Sequence, residues 1–347
     1  MRLVFLGLSI TSSWGNGHAT NYRALVRALA ARGHDVLFLE RDVLWYAAHR
    51  DLPEPPGCRT VLYRSLEEVA GHAAELAAAD AVVVGSFVPE GVAVLGWALD
   101  VARGVVAFWD IDTPVTVAKL EAGDEEYLSR ELVPRLDLYL SFTGGPLLER
   151  IENERAVLFH CMADPADYRP LPEDERWLLG YLGTYSADRQ DALETLLAEP
   201  ARRLRDARFV VAGPQYPSSL AWPANVERID HLPPGEHARF YARQRFTLNV
   251  TRAEMRAAGW SPSVRLFEAA ACGTAIVSDR WDGIETFFTP GEEILLVDGP
   301  DDVLAALESD GRRIGAAARA RVLAEHTPER RAEQLEALVR AAAGVAA

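Results

Sequence analysis

The sequence alternates, over nearly its whole length, between short apolar runs and stretches with helical spacing of apolar residues. The runs of the first half are Leu3–Leu8, Val36–Glu40, Ala81–Gly85, Val105–Trp109, Leu138–Phe142 and Ala156–Phe159. Those of the second half are Leu178–Gly183, Phe209–Gly213, Phe246–Val250, Ala275–Asp279 and Ile294–Asp298. Such runs are typical of strands buried on both faces, and helices between them imply crossover connections. The pattern therefore predicts an α/β fold with two doubly wound, Rossmann-like domains.

The length of 347 residues suits two domains of ordinary size. The stretch His160–Glu175 has three prolines, five acidic residues and no periodicity, which is typical of a solvated linker. We expect an N-terminal domain over residues 1–165, a linker over 166–175, a C-terminal domain over 176–328, and a C-terminal helix over 329–347 that can pack back on the first domain. Open parallel sheets bind ligands beyond the carboxyl ends of their strands, so we expect the domains to face a cleft that holds the ligand.

The charge balance restricts the partners. The chain carries 51 acidic and 36 basic side chains, for a net charge of -15. Nucleic acids and anionic membranes attract basic surfaces, so neither is expected as a partner. Only Lys119 is a lysine, so nearly every cationic contact must come from arginine.

Cysteine usage and hydropathy predict a protein of the reducing cytoplasm. The chain has three cysteines, Cys58, Cys161 and Cys272. Their number is odd and their spacing is not that of a metal site. The apolar start Met1–Leu8 lacks a charged leader region and is interpreted as a strand. The longest apolar stretch, Ala81–Leu99, is interrupted by a proline and a glutamate, so no membrane span is expected.

The first strand leads into a turn with two glycines that ends in a histidine, Thr11–His18. Glycines there let backbone amides approach a ligand and direct the next helix, expected from Asn21, towards it. The spacing is not Gly-x-Gly-x-x-Gly, and Glu40 only weakly resembles a ribose-binding acid, so a nicotinamide cofactor is not expected. Gly17 is a candidate ligand contact and His18 a candidate general base. Alternatively, His18 only caps the helix or is hydrogen-bonded within the loop.

Two aspartates, Asp110 and Asp112, follow the strand Val105–Trp109. Such a pair could hold a divalent cation, but short patterns of this kind are common by chance. We favour Asp112 as an acceptor contact or as the residue that orients His18. The sequence has neither a Gly-x-Ser-x-Gly turn nor close pairs of Cys or His, so it indicates neither a serine hydrolase nor a zinc site.

The strongest local signal is the segment Gly259–Gly273. Ser261 suits a helix N-cap, Pro262 the first helical position and Gly273 the helix end. The start of this helix would offer free amides, the hydroxyls of Ser261 and Ser263, and the positive end of the helix dipole. These groups predict a site for a pyrophosphate.

Basic side chains lie near the same expected edge of the second sheet. Arg265 falls in the first turn of the helix and shares a face with Glu268; the alternative is an exposed ion pair of little energetic value. Other candidates follow the strands of this domain: Thr184, Tyr185, Arg189 and Arg252. Thr184 can donate a hydrogen bond to phosphate, and the arginines can neutralise its charge.

Several blocks of the sequence resemble the GT-B glycosyltransferases, most closely the CgeB-like (spore maturation protein) branch of the bacterial group 1 superfamily. The blocks are Asp112–Pro114, Leu140–Gly145, Tyr181–Tyr185, Ser261–Gly273 and Ser278–Gly283. The junction from Phe159 to Pro170 is similar to the interdomain junction of that superfamily. The resemblance spans nearly the whole chain and implies the GT-B fold.

The resemblance also implies a function. Its substrates would be a nucleotide-diphosphate sugar, linked to UDP, GDP or TDP, and a hydroxyl on a glycan, a protein or a small metabolite. Glu268 matches the ribose-binding glutamate, and the segment from Ser261 to Arg265 matches the phosphate-binding helix start. Arg189 matches a basic residue that meets the diphosphate, and His231 and Leu232 lie where the nucleobase loop is expected. Neither a cofactor nor a metal is implied, because arginines and amides can stabilise the leaving diphosphate.

One departure affects the mechanism. Retaining members of group 1 usually carry a glutamate eight positions before the ribose glutamate, and here that position is Trp260. A retaining mechanism is therefore not implied, and His18, which matches the base of inverting GT-B enzymes, favours inversion. Two alternatives stay open: a nucleotide-sugar epimerase or hydrolase of the same fold, and a nucleotide-sugar-binding protein without catalysis.

Overall fold

The computed structural model describes residues 1–344, which form two compact units. The first contains Met1–Cys161 together with the residues from Pro328 on, and the second contains Met162–Thr327. The chain thus enters the second unit after Cys161 and leaves it after Thr327. Residues 166–175, for which a linker was expected, lie within the second unit.

The first unit is built on a seven-stranded parallel sheet with the strand order β3-β2-β1-β4-β5-β6-β7. Its strands are β1 (Arg2–Gly7), β2 (Asp35–Arg41), β3 (Arg59–Tyr63), β4 (Ala81–Gly85), β5 (Val105–Asp110), β6 (Leu138–Ser141) and β7 (Ala156–Leu158). Its helices before the second unit are α1 (His18–Ala31), α2 (Leu44–Ala47), α3 (Leu66–Ala70), α4 (Ala73–Ala78), α5 (Gly91–Val101), α6 (Thr113–Glu121) and α7 (Pro146–Glu149). The order reverses between β1 and β4, which places the loops after these strands at a topological switch point.

The second unit repeats this plan with a six-stranded parallel sheet in the order β10-β9-β8-β11-β12-β13. Its strands are β8 (Trp177–Leu182), β9 (Phe209–Ala212), β10 (Val226–Ile229), β11 (Gln244–Asn249), β12 (Ala275–Asp279) and β13 (Leu295–Val297). Its helices are α8 (Ala187–Leu193), α9 (Glu199–Arg203), α10 (His237–Ala242), α11 (Ala253–Ala258), α12 (Val264–Ala271), α13 (Pro300–Leu307) and α14 (Gly311–Glu325), with a π-helical turn at Glu194–Ala198. The predicted α/β architecture of two doubly wound sheets is confirmed.

Each predicted apolar run contains a strand, and the two strands that the sequence did not indicate lie at sheet edges. β3 and β10 each carry charged residues and are only partly buried, so they lack the continuous apolar run of a central strand. The apolar residues of Leu66–Ala78 have helical spacing, which predicts one helix; the structure has two, because the chain turns at Gly71.

α12 begins later than the sequence suggested. We expected Ser261 as its N-cap and Pro262 as its first residue, but the cap is Ser263 and the first helical residue is Val264. The Ser263 hydroxyl makes no capping hydrogen bond and donates instead to Asn249 Oδ1 at 2.9 Å. Arg265 stays in the first turn, and Gly273, at φ +74°, follows the helix end as predicted.

The last helix, α15 (Pro328–Ala342), lies in the first unit and packs against α1. Glu336 accepts hydrogen bonds from Arg32 Nε at 2.6 Å and from His34 at 2.5 Å. Leu335 and Val339 are buried on the same helix. Within residues 1–344, no helix combines the length and hydropathy needed to cross a lipid bilayer.

Candidate functional site

His18 and Asp112 of the first unit lie side by side at the carboxyl ends of two strands. His18 is the first residue of α1 and follows Gly17, whose backbone forms the N-cap. Asp112 follows β5 and is the N-cap residue of α6. Nε2 of His18 lies 3.4 Å from Oδ2 of Asp112, and the histidine is only 8% exposed. The backbone amide of His18 donates to Asn16 Oδ1 at 2.9 Å, which fixes the start of the helix.

An aromatic ring packs against the imidazole of His18. Phe87 lies in the loop after β4, and its ring meets that of His18 edge-on, with 5.7 Å between centroids. The backbone of Phe87 has φ +61°, which is unfavourable for a bulky residue and persists only where surrounding contacts enforce it. On its other side Phe87 contacts Tyr127, at 4.6 Å between ring centroids. Nδ1 of His18 is buried and has no hydrogen-bond partner in the described chain.

Glu40 shapes the loop that leads to His18. Its carboxylate is fully buried at the end of β2 and accepts hydrogen bonds from the amides of Ile10 and Thr11 at 2.7 and 2.9 Å. The hydroxyls of Ser9 and Thr11 also donate to it, at 3.1 and 2.6 Å. A buried carboxylate is tolerated when it is saturated with donors in this way. Glu40 thus organises the loop and was missed as a site residue, although an acid at the end of an apolar strand was a signal for it.

Asp110, the other acid of the Asp-x-Asp pattern, is directed into the protein. It is fully buried and accepts hydrogen bonds from the hydroxyls of Tyr139 at 2.5 Å and Thr116 at 2.7 Å. Burial raises the pKa of its carboxyl to about 6, although these hydrogen bonds oppose the shift. Across residues 1–344, no group of three or more His, Cys, Asp or Glu side chains could hold a metal ion.

Arg265 of the second unit connects the ends of two strands. Its Nε donates to the carbonyl oxygen of Leu182 at 2.5 Å, where β8 ends. Its Nη1 donates to Oδ1 of Asn249 at 2.9 Å, where β11 ends. The guanidinium also lies over the ring of Tyr181, 4.8 Å from its centroid. Nη2 makes no hydrogen bond with the described residues and is the guanidinium nitrogen left for a ligand.

The other basic candidates lie at the same edge of the second sheet. Arg189, in the first turn of α8, donates from Nη2 to the carbonyl oxygen of Thr184 at 2.8 Å. Arg252 follows β11 and is the N-cap residue of α11. The Nε atoms of Arg189 and Arg252 are buried and have no hydrogen-bond partner among the described residues. A buried guanidinium N–H without an acceptor costs free energy, so both sites favour an incoming acceptor such as a phosphate oxygen.

Glu268 is buried and does not pair with Arg265. Its carboxylate lies 3.5 Å from the hydroxyl of Tyr241 and 3.9 Å from Nδ1 of His237. Burial raises the pKa of Tyr241, and the neighbouring Glu268 charge raises it further. The pairing of Arg265 with Glu268 as an exposed ion pair, which the sequence left open, is therefore wrong. Ser261, before the helix, is also buried.

The second unit also contains the residues expected near a nucleobase and an aromatic cluster that the sequence did not reveal. His231 is exposed, and the carbonyl oxygen of Leu232 accepts from Nε2 of His237 at 3.3 Å. In this cluster the rings of Tyr185, Tyr216 and Trp222 meet edge-on in succession, with centroids 5.5 and 5.7 Å apart. Arg228 lies 4.1 Å from the centroid of the Tyr216 ring.

Trp260 is fitted into a strained turn before α12. Its backbone has φ +45°, and its amide donates to the carbonyl oxygen of Asp282 at 2.6 Å. A Cβ atom on Gly283 would lie 2.4 Å from the indole ring, so only glycine fits beneath it. The tryptophan at the position of the retaining glutamate is therefore accommodated by its neighbours.

Comparisons with known proteins agree with this architecture. Residues 189–337 match the sequence model of a family described as glycosyl transferase-like. No curated protein sequence matches the chain significantly. Sucrose-phosphate synthase from Thermosynechococcus elongatus has 17% sequence identity and a TM-score of 0.69, with 98% of this chain and 99% of that chain covered.

Two further solved structures carry ligands. Anabaena Alr3699/HepE, in complex with UDP and glucose, has 12% identity and a TM-score of 0.74 and covers 98% of this chain and 100% of its own. An alpha-glucosyltransferase, in complex with UDP-glucose and DNA containing an abasic site, has 12% identity and a TM-score of 0.71, with 98% and 99% covered. At these identities the likeness establishes the fold. The chain has the GT-B fold, and its residues 189–337 match a glycosyl transferase-like family.

Proposed function

We propose that this protein is a glycosyltransferase that moves a sugar from a nucleotide-diphosphate donor to a hydroxyl acceptor. The observation that carries the proposal is the glycosyl transferase-like match over residues 189–337. That segment contains six of the candidate donor-binding residues of the second unit: Arg189, Arg252, Ser261, Ser263, Arg265 and Glu268. Within the superfamily we place the chain in the CgeB-like branch, and we propose that it acts in the cytoplasm.

The second unit would bind the donor. Nη2 of Arg265 and the Nε atoms of Arg189 and Arg252 lack protein acceptors, so the diphosphate oxygens would supply them. Glu268 would accept from the ribose hydroxyls, and His231 and Leu232 would border the base. A UDP-linked sugar is the first donor to test, because similar folds have been solved with UDP or UDP-glucose.

His18 would act as the general base and Asp112 would orient it. In the tautomer that carries its proton on Nε2, His18 donates a hydrogen bond to Asp112. Nδ1 then holds the lone pair that can take the proton of the acceptor hydroxyl. The acceptor oxygen then attacks the anomeric carbon, and the bond to the diphosphate breaks with its electron pair on the departing nucleotide, which inverts the configuration. Because Nδ1 is shielded, the imidazole or the side chains over it must move before proton transfer.

We further propose that neither a metal nor a cofactor takes part, because three arginines can balance the charge of the leaving diphosphate. The acceptor would be a glycan, a protein or a small metabolite. The net charge of -15 makes DNA an unfavourable acceptor for this chain, although one protein of similar fold was solved with DNA.

Calorimetry with UDP, GDP and TDP tests the donor site first, because binding needs no acceptor. We expect micromolar-range binding of one nucleotide, on the order of 8 kcal/mol. Glu268→Gln should weaken it about tenfold, because an amide is a poorer acceptor for two ribose hydroxyls. Glu236→Gln, an exposed acid of the same unit that pairs with Arg239, is the matched control. If no nucleoside diphosphate binds, the donor site is refuted.

Mass spectrometry with a panel of nucleotide sugars and acceptors tests the reaction. Donor turnover without any acceptor would indicate the epimerase or hydrolase, and binding without turnover would indicate a silent binding protein. His18→Ala should lower turnover by roughly a hundredfold or more with donor affinity retained. His72→Ala, at a histidine of the first unit that pairs with Glu75, is the control. Unchanged turnover in His18→Ala would exclude it as the base.

A further inference from the structure

Asp110 holds a fully buried carboxylate that the proposed reaction does not use. It ends β5 and accepts hydrogen bonds on both oxygens, from Tyr139 to Oδ2 at 2.5 Å and from Thr116 to Oδ1 at 2.7 Å. The Thr116 hydroxyl in turn lies 2.8 Å from that of Tyr127. A carboxylate in such a place costs free energy that these bonds only partly offset, so its presence calls for a reason beyond packing.

The carboxylate of Asp110 also holds the backbone of Asp112. The amide of Asp112 donates to Oδ1 of Asp110 at 3.3 Å, and its carbonyl oxygen lies 3.5 Å from the Thr116 hydroxyl. Between them, the amide of Ile111 donates to the Ser86 hydroxyl at 3.1 Å. Asp110 therefore holds the amide of Asp112, whereas the carbonyl oxygen of Asp112 accepts mainly from the amides of Val115 and Thr116, at 2.9 and 3.1 Å.

The backbone of Asp112 decides where its carboxylate can reach. At φ -131° and ψ 53° it is outside the helical region, immediately before α6. Its Oδ2 then lies 3.4 Å from Nε2 of His18. A separation of 3.4 Å is near the limit of a hydrogen bond, so a small change in this backbone would carry the carboxylate beyond that range.

We propose that Asp110 is a positioning residue, which acts through the backbone of Asp112 to hold that carboxylate against His18. The proposal rests on the glycosyltransferase function proposed above. Asp110 touches neither substrate nor His18, so its effect on the reaction would be indirect.

The environment of Asp110 adds a dependence on pH. Burial raises the pKa of Asp110 to about 6, with a further increase from the charge of Asp112. The other groups that face it are the hydroxyls of Tyr139 on β6, Tyr127 on the loop after α6, and Thr116 on α6. Protonation places a hydrogen on an oxygen that now only accepts, so at least one of these bonds must change. Turnover should therefore fall as the pH drops through about 6.

The test compares Asp110→Asn with Asp279→Asn in the full chain. Asp279 is the buried acid that ends β12 in the second unit and accepts from Thr251. Asp110→Asn should lower kcat roughly tenfold, with KM for the donor within about twofold, and should change the shape of the pH profile near pH 6, because one of the groups that shape it is gone. Asp279→Asn controls for the loss of a buried carboxylate in the measurement of the His18 imidazole.

A spectroscopic measurement makes the inference independent of turnover. The imidazole resonances of His18 are those missing from the spectrum of His18→Gln. We expect Asp110→Asn to shift them and Asp279→Asn to leave them unchanged. Tyr139→Phe, which removes one donor to Asp110, should shift them in the same direction by less, and serves if Asp110→Asn does not fold.

Unmoved His18 resonances in both Asp110→Asn and Tyr139→Phe would overturn the positioning role, as would an unaltered kcat and pH profile. A failure of the glycosyltransferase proposal can be told apart from this, because the wild-type protein itself would then bind no UDP and transfer no sugar. In that event the resonances of His18 still decide whether Asp110 positions Asp112.

Discussion

Replacing Arg265 with lysine tests whether one guanidinium both joins two strand ends and binds the donor. The arginine makes two hydrogen bonds, to Leu182 at 2.5 Å and Asn249 at 2.9 Å, and stacks on Tyr181. A lysine has a point-like ammonium in place of the planar fork that spans these two acceptors, so we expect it to lose one of the two hydrogen bonds and the planar stacking.

The expected loss of stability follows from these contacts. A hydrogen bond from a charged group contributes about 1.5 kcal/mol at the low end, and a half-buried cation–π contact about 0.5–1 kcal/mol. Oδ1 of Asn249 keeps the Ser263 hydroxyl as a donor at 2.9 Å, so no buried acceptor is left unpaired there. The sum is about 2 kcal/mol, which for a unit of this size lowers the melting temperature by roughly 4–8 °C.

The donor affinity should fall separately, because Nη2 of Arg265 is the nitrogen proposed to meet the diphosphate. We expect Arg265→Lys to raise the Kd for UDP about tenfold to a hundredfold, or about 1.4–3 kcal/mol. Thermal melts and titration calorimetry on the same samples measure the two effects. Arg176→Lys is the matched control. Arg176 also lies over an aromatic ring, 5.0 Å from the centroid of Trp177, and pairs with Glu227, but it precedes β8 and so lies at the opposite end of that strand.

The two measurements can refute different parts of the reasoning. A lower melting temperature with an unchanged Kd for UDP would mean that Arg265 only joins the strands. An unchanged melting temperature would contradict the contacts themselves. A Kd raised equally in Arg176→Lys would show that the effect on binding is not specific to the carboxyl end of the sheet.

Three further changes test the packing around the sites. Glu40→Gln should lower the free energy of unfolding by about 2 kcal/mol, measured as a lower melting temperature. Both carboxylate oxygens of Glu40 accept hydrogen bonds, and the NH2 group of glutamine would face some of the same donors. Gly283→Ala should cost about 2–4 kcal/mol, because its Cβ would meet a tryptophan ring at 2.4 Å and its φ is +88°. Gly299→Ala, which has open space around it and loses only the N-cap preference for glycine, should cost less than about 1 kcal/mol. Hydrogen bonds, chiefly from Arg32, lower the pKa of Glu336 to about 2. The stability it contributes is therefore present above pH 4.5 and lost as the pH falls towards 2, and Glu336→Gln should flatten that part of the profile of melting temperature against pH.

The central strands could be predicted from the sequence because each is buried on both faces and leaves a continuous apolar run. Edge strands are less regular: β3 and β10 mix charged and apolar residues and were missed, whereas β7 and β13, also at sheet edges, lie within apolar runs and were predicted. We predicted the start of α12 too early because the sequence Ser261-Pro262 is a strong local signal for a helix start. The contact that bears on the true start, between Ser263 and Asn249, joins residues far apart in the chain. The hydrogen bond from Ser263 to Asn249 depends on β11 lying next to the helix start, which spacing along the chain does not reveal.

The candidate site residues were easier to find than the residues that hold them. His18, Asp112 and Arg265 follow strands, and the topology brings the ends of parallel strands together. Glu40 and Asp110 act on residues about thirty and two positions away, through the pairing of β2 with β1 and the turn after β5. Their role depends on the direction of a buried side chain, and the sequence pattern carries no information on that direction.

The buried acids change the meaning of the acidic composition. Glu40, Asp110, Glu268 and Asp279 are each at most 5% exposed. Glu40, Asp110 and Asp279 lie at the carboxyl end of a strand. Each accepts a hydrogen bond from a backbone amide in the loop after the same or a neighbouring strand. Such an acid costs desolvation free energy, so its retention favours a role in fixing loop geometry. Neutralising one of these four should therefore disturb the sites more than removing a surface carboxylate, even though both changes alter the net charge equally.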